Sequence, residues 1–176
     1  MSTKPQGVPS RGGPPDHTTG LGSIDPKPVC FQGPQRKVVL DTNVLVSLYV
    51  FADSRFAPLR ARIECGEWQA YSDAPCLDEF RRVLGYPLFA LTEERQEAAR
   101  AAYESKVIPL DGARPGPLGS LPRCRDRDDQ KFLELARDAG ADYLVTADKD
   151  LLRLARRDRL RGIFRILTPE AALTAA

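Results

Sequence analysis

Two short apolar runs that lie far apart in the chain both end in acids. Val38-Val39-Leu40 leads straight into Asp41-Thr42-Asn43, and Tyr143-Leu144-Val145 leads into Thr146 and Asp148. Apolar runs this short, bounded by polar residues, read as buried strands. A helix-like stretch follows each of them. A strand that ends in an acid and feeds a helix, used twice, points to an α/β fold with a mainly parallel central sheet flanked by helices. The trio Asp41-Thr42-Asn43 interrupts the otherwise buried segment RKVVLDTNVLVS, Arg36 to Ser47. A polar group taken from water without partners costs about 2–7 kcal/mol. The trio therefore either caps the next helix, through Asp41 or Thr42, or builds a site.

The rest of the folded part alternates in the same way. Lys37–Leu40 reads as the first strand, Pro58–Glu64 as a helix stopped by Gly66, and Trp68–Tyr71 as the next strand. Ser72-Asp73-Ala74-Pro75 opens a helix, with capping residues ahead of a proline suited to the first turn. Its apolar stripe is Leu77, Phe80, Val83 and Leu84, with Glu79 beside it, and Gly85 and Pro87 end it. Residues 93–105 favour helix, and Val107–Leu110 is a strand or an extended connector. Asp111–Pro122 reads as a loop from its glycines and prolines. Phe132, Leu133, Ala136 and Ala139 form a helical stripe ended by Gly140; Ile163–Leu167 is a last strand, and Thr168-Pro169-Glu170 opens a terminal helix. The aromatic residues Phe80, Phe132, Tyr143 and Phe164 belong to the core. In such a sheet, ligands bind at the carboxyl ends of the strands, where both Asp41 and Asp148 fall.

Composition removes several classes of chemistry. The 176 residues carry 26 basic and 24 acidic side chains, a balance that identifies no partner by itself. The single histidine, His17, lies in a segment rich in proline and glycine, so His-based acid/base pairs and Ser-His-Asp triads have little to work with. The cysteines, Cys30, Cys65, Cys76 and Cys124, form no C-x-x-C pair and read as buried free thiols. No G-x-G-x-x-G or G-x-x-x-x-G-K-[ST] occurs, which weakens a nucleotide-cofactor reading. Residues 1–35 hold seven prolines and few large apolar side chains, and are expected to form a disordered tail ahead of a domain over 36–176. No run approaches the 18–20 apolar residues of a membrane span, and the first residues lack the basic-then-apolar order of a secretory signal. A cytoplasmic protein without membrane contact is expected.

LDTNVL at Leu40–Leu45, Glu79 on its helix, RDRDDQKFLELA at Arg125–Ala136 and GADYLVTADKDLL at Gly140–Leu152 together resemble the PIN-domain ribonucleases, in particular the branch that serves as the toxin of toxin–antitoxin modules. The resemblance spans about residues 36–173. It implies a PIN-like three-layer fold, Mg²⁺ or Mn²⁺ held on a cluster of acids, cleavage of RNA, a cognate antitoxin protein as partner, and a homodimer. By position it assigns Asp41, Glu79, Asp129 and Asp148 as the catalytic, metal-binding acids, with Asp126 as the alternative third acid. Thr42, Asn43 and Thr146 match the polar residues that support the acids, and Asp150 is a peripheral ligand candidate.

The chemistry accounts for such a set. Neighbouring carboxylates cannot all ionise without a cation, and Mg²⁺ is a hard ion that takes oxygen ligands and keeps some waters. A water made more acidic by such an ion attacks a phosphodiester without any histidine. Arginine suits bidentate phosphate contacts, which makes Arg123, Arg125 and Arg127, beside the third acid, and Arg153, Arg156 and Arg157 candidates for RNA phosphates. Arg159, Arg161 and Arg165 extend the second group, which also reads as a solvated helix face. Each acid has a plainer reading as well: Asp41 as an N-cap, Glu79 as a surface residue, Asp129 as a helix-start acid and Asp148 as a turn residue. The rival functions are a PIN-like module that binds RNA or protein with little catalysis, and a metal-dependent DNA nuclease or phosphoesterase.

Overall fold

Alternation along the strands generates two cores, one on each face of a single sheet. A computed structural model describes residues 33–112, 121–157, 160 and 162–175. The expected tail therefore lies outside the described residues up to position 32, as does most of the Asp111–Pro122 loop. β1 (Arg36–Leu40) is followed by α1 (Thr42–Leu45), which continues as a π-helical turn over Val46–Val50. α2 (Ala57–Glu64), β2 (Trp68–Ser72), α3 (Ala74–Leu84), α4 (Glu93–Glu104) and β3 (Ile108–Pro109) come next. α5 (Gln130–Asp138), β4 (Tyr143–Val145), α6 (Lys149–Leu154), β5 (Arg165–Leu167) and α7 (Pro169–Thr174) complete the order.

All strand pairs are parallel, and the sheet order is β3-β2-β1-β4-β5. The first strand sits in the middle, and the chain winds outward from it in both directions. Val38 and Leu40 join Tyr143, Val145 and Leu167 in one core with residues of α1, α2, α4 and α7. Val39, Leu144 and Ile166 face the other, with Phe132, Leu133, Leu135 and Ala136 of α5 and Leu151 and Leu154 of α6. Strand side chains alternate between faces, so three consecutive apolar residues serve both layers. That is why these runs are continuous rather than alternating.

Local signals set the helix ends. Asp73 caps α3 by accepting from the Cys76 amide at 3.0 Å, and Thr168 caps α7 by accepting from Ala171 at 3.1 Å. Gly140 ends α5 in a left-handed conformation (φ 58°) that costs a glycine little. The expected core aromatics Phe80, Phe132, Tyr143 and Phe164 are all buried. Cys76 and Cys124 are buried free thiols, and burial pushes the Cys76 thiol well up, so it stays protonated. Cys65 departs from expectation: it is exposed, because it follows the last turn of α2 where the chain leaves the surface for β2. Among the described residues, no helix is long and apolar enough to cross a membrane.

Candidate metal centre

Register brings the two acid-bearing strand ends together. Leu40 lies opposite Val145, and the Asp41 amide donates to the Val145 carbonyl at 3.0 Å. The order in which strands are added to the sheet reverses between β1 and β4, so this carboxyl edge is the switch point at which open α/β sheets place their crevice. Asp41 is 2% exposed and Thr146 is fully buried. The Thr146 hydroxyl donates to Asp41 Oδ2 at 2.6 Å and accepts from the Asp148 amide at 2.9 Å. One hydroxyl thus fixes the first acid against the loop that carries the last. Asn43, also expected to support Asp41, reaches Oδ2 only at 3.5 Å, the outer limit of a hydrogen bond.

The capping role expected of Asp41 or Thr42 does not materialise. Asp41 occupies the N-cap position of α1 in extended backbone, and its side chain makes no cap hydrogen bond; its Oδ2 accepts from the Thr146 hydroxyl. The Thr42 hydroxyl is buried without a partner among the described residues. Asp148, expected at most as a turn residue in its plain reading, is a true N-cap. Its Oδ1 accepts from the amides of Asp150 at 2.7 Å and Leu151 at 3.1 Å. Asp150 is itself paired with Arg153.

Asp129 stands at the head of α5, and its side chain makes no cap bond. Asp126, its alternative, is exposed, and its Oδ1 bends back to accept from the Asp128 amide at 2.9 Å. Glu79 projects from α3 to an ion pair with Lys131 of α5, with side chains 14% and 22% exposed. Sequence reading assigned no role to Lys131. Its partner lies 52 positions away on another helix, and the only available signal is a lysine placed two residues after Asp129 in a chain that otherwise favours arginine.

These acids feel one another. Burial pushes the Asp129 carboxyl up to about 7, and the charges of Asp41, Asp148, Asp126 and Glu79 add to the rise. Burial likewise raises Asp41; the Thr146 hydrogen bond opposes the rise, and Glu79 and Asp148 reinforce it. Carboxylates from the ends of β1 and β4, from α3 and from the head of α5 therefore form one electrostatic cluster. A set of hard oxygen donors with excess negative charge fits a divalent cation chemically. Among the described residues, however, no three Asp, Glu, His or Cys side chains are arranged to hold an ion together.

The arginines divide into two places. Arg123, Arg125, Arg127 and Arg137 line one cavity of about 510 Å³ beside the first turn of α5. The first three make no ion pair among the described residues. The amide of Cys124 donates to Gln130 Oε1 at 2.8 Å and fastens this loop to α5. Arg156 and Arg157 instead share a cavity with Gly140, Asp142 and Arg165, at the amino ends of β4 and β5, the edge opposite Asp41. Arg159 and Arg161 lie outside the described residues, and so does His17.

No curated protein matches the chain. The profile of the PIN domain matches residues 37–150, which begins inside β1 and runs through the first turn of α6, taking in every acid of the cluster. With a five-stranded parallel sheet between helical layers and a match over more than half its length, the chain belongs to the PIN domain family, whose members are typically nucleases.

Proposed function

We propose that the protein is a metal-dependent endoribonuclease in which Asp41, Glu79, Asp129 and Asp148 bind one or two Mg²⁺ or Mn²⁺ ions. The observation that carries this reading is the Thr146 hydroxyl bridging Asp41 and Asp148 at the switch point of the sheet. A buried carboxylate fixed in this way is preorganised to take a ligand where α/β sheets bind them. When bound, such an ion supplies a more acidic water and positive charge beside the phosphate oxygens.

The chain's own groups do the rest. Thr146 holds Asp41 in orientation, and Asp148 Oδ1 is spent on the α6 amides, which leaves its second oxygen for the ion. Asp129, half-buried among like charges and pushed up to about 7, is only partly ionised near neutrality, and positive charge entering the cluster would favour loss of its proton. Among the described residues Arg123, Arg125 and Arg127 make no ion pair that would compete with a phosphate. The RNA preference and the toxin role rest on the resemblance in Leu40–Leu45 and Arg125–Leu152; a cognate antitoxin and a homodimer go with that role.

The test is cleavage of a single-stranded RNA and the matching DNA by purified protein with Mn²⁺, Mg²⁺ or a chelator. Metal-dependent cleavage confined to RNA is expected. RNA binding without cleavage in any metal contradicts the nuclease reading, and equal cleavage of DNA contradicts the RNA preference. Slowed growth on expression, relieved by the product of an adjacent small reading frame, is the expectation for the toxin role.

A further inference from the structure

Among the described residues, Glu79 is the one proposed ligand with an ion pair, and its partner Lys131 rises from the same helix turn as Asp129. Both side chains are mostly buried, so neither charge can be left alone cheaply: breaking a buried pair by removing one member is far more disruptive than removing both. The Lys131 stem runs beside the Phe132 ring, with Nζ 5.3 Å from its centroid. Lys131 also borders a cavity of about 400 Å³ whose wall includes Asp73, Asp111, Glu134 and Asp138. An ammonium released by Glu79 thus has a second acidic environment within reach.

We propose that Lys131 is a built-in countercharge: it holds Glu79 while no divalent ion is present, yields it when one binds, and so sets the affinity of the site for the ion. Lys131 is here a positioning residue, acting through Glu79. The inference rests on the metal-binding reading above.

The experiment is calorimetric titration of Mn²⁺ into wild-type, Lys131→Met and Lys131→Arg proteins, with thermal melting of each before metal is added. Loss of one positive charge near the site tightens Mn²⁺ binding by about fivefold in Lys131→Met. Lys131→Arg stays within about twofold of wild type, because the charge is kept. Metal-free melting of Lys131→Met falls, and Glu79→Gln combined with Lys131→Met recovers it. Should Lys131→Met not fold, the Lys131 side-chain resonance in wild-type protein gives the same answer: it shifts on saturation with Mg²⁺, and an unmoved resonance overturns the proposal. Unchanged or weaker Mn²⁺ binding by a folded Lys131→Met protein, beside a wild type that binds, overturns the role of Lys131 alone. A wild type that binds no Mn²⁺ overturns the metal-binding reading and this proposal with it.

Discussion

At the scale of single residues, the acids differ in what the fold asks of them besides charge. Asp41 is buried by a strand end and held by Thr146, the Asp129 side chain makes no cap hydrogen bond, and Asp148 both caps a helix and faces the cluster. That double duty is separable, because asparagine caps helices about as well as aspartate, whereas alanine does not. Asp148→Asn is expected to keep the stability of the wild type within about 0.5 kcal/mol. Its metal-dependent cleavage should nonetheless fall by at least about tenfold. Asp148→Ala loses the same activity and about 1 kcal/mol of stability as well. Urea unfolding read beside the cleavage rate checks both; an Asp148→Asn protein as active as wild type removes Asp148 from the site.

At the scale of elements, the runs that serve two core layers were the legible part. Val38-Val39-Leu40 and Tyr143-Leu144-Val145 became β1 and β4 because three consecutive apolar residues have no other economical use at that length. Asp73 and Thr168 were readable as caps because capping is local, settled within three residues. Asp41 had the same signature and makes no cap bond; its carboxylate accepts instead from Thr146, 105 positions later, a partner no local signal announces. The two-residue β3 was ambiguous in sequence because its pairing is decided by Tyr71 and Ser72 on β2, not by its own residues. The Glu79–Lys131 pair was invisible for the same reason: each half sits on an ordinary amphipathic helix, and only the packing of α3 against α5 joins them. Of the arginines, charge alone could not reveal which edge of the sheet they occupy. The loop before α5 puts Arg123, Arg125 and Arg127 in a cavity with Gln130, Glu134 and Arg137 of that helix, while the end of α6 carries Arg156 and Arg157 to the far edge.

For the whole molecule, gathering acids at one edge has a cost that depends on pH. Folding raises the Asp129 carboxyl from 3.8 to about 7 and raises Asp41 as well, so between these values the folded protein binds more protons than the unfolded chain. Stability then falls as pH rises. The contribution is fully present below about pH 4 and is lost as pH climbs through about 7. Asp53 and Glu97, held low by Arg55 and Arg100, act in the opposite sense only at more acid pH. Metal-free protein is therefore expected to be less stable at pH 8 than at pH 5 by about 1–2 kcal/mol, after allowance for the partial exposure of Asp129. Saturating Mn²⁺ should remove most of that difference at pH 8. Chemical denaturation at the two pH values, with and without the ion, reads it directly; stability that rises from pH 5 to pH 8 without metal means that these acids are not crowded together.

The central claim is that a buried carboxylate at the end of the middle strand serves a cation rather than the fold. Asp41→Asn tests it most directly, because asparagine can still accept the Thr146 hydrogen bond while giving up the charge that burial disfavours. Its metal-free melting temperature at pH 8 is expected to equal or exceed that of the wild type. The measurement is the rate of Mn²⁺-dependent RNA cleavage by this variant: a loss of at least about a hundredfold is predicted, and a rate within about threefold of wild type contradicts the account.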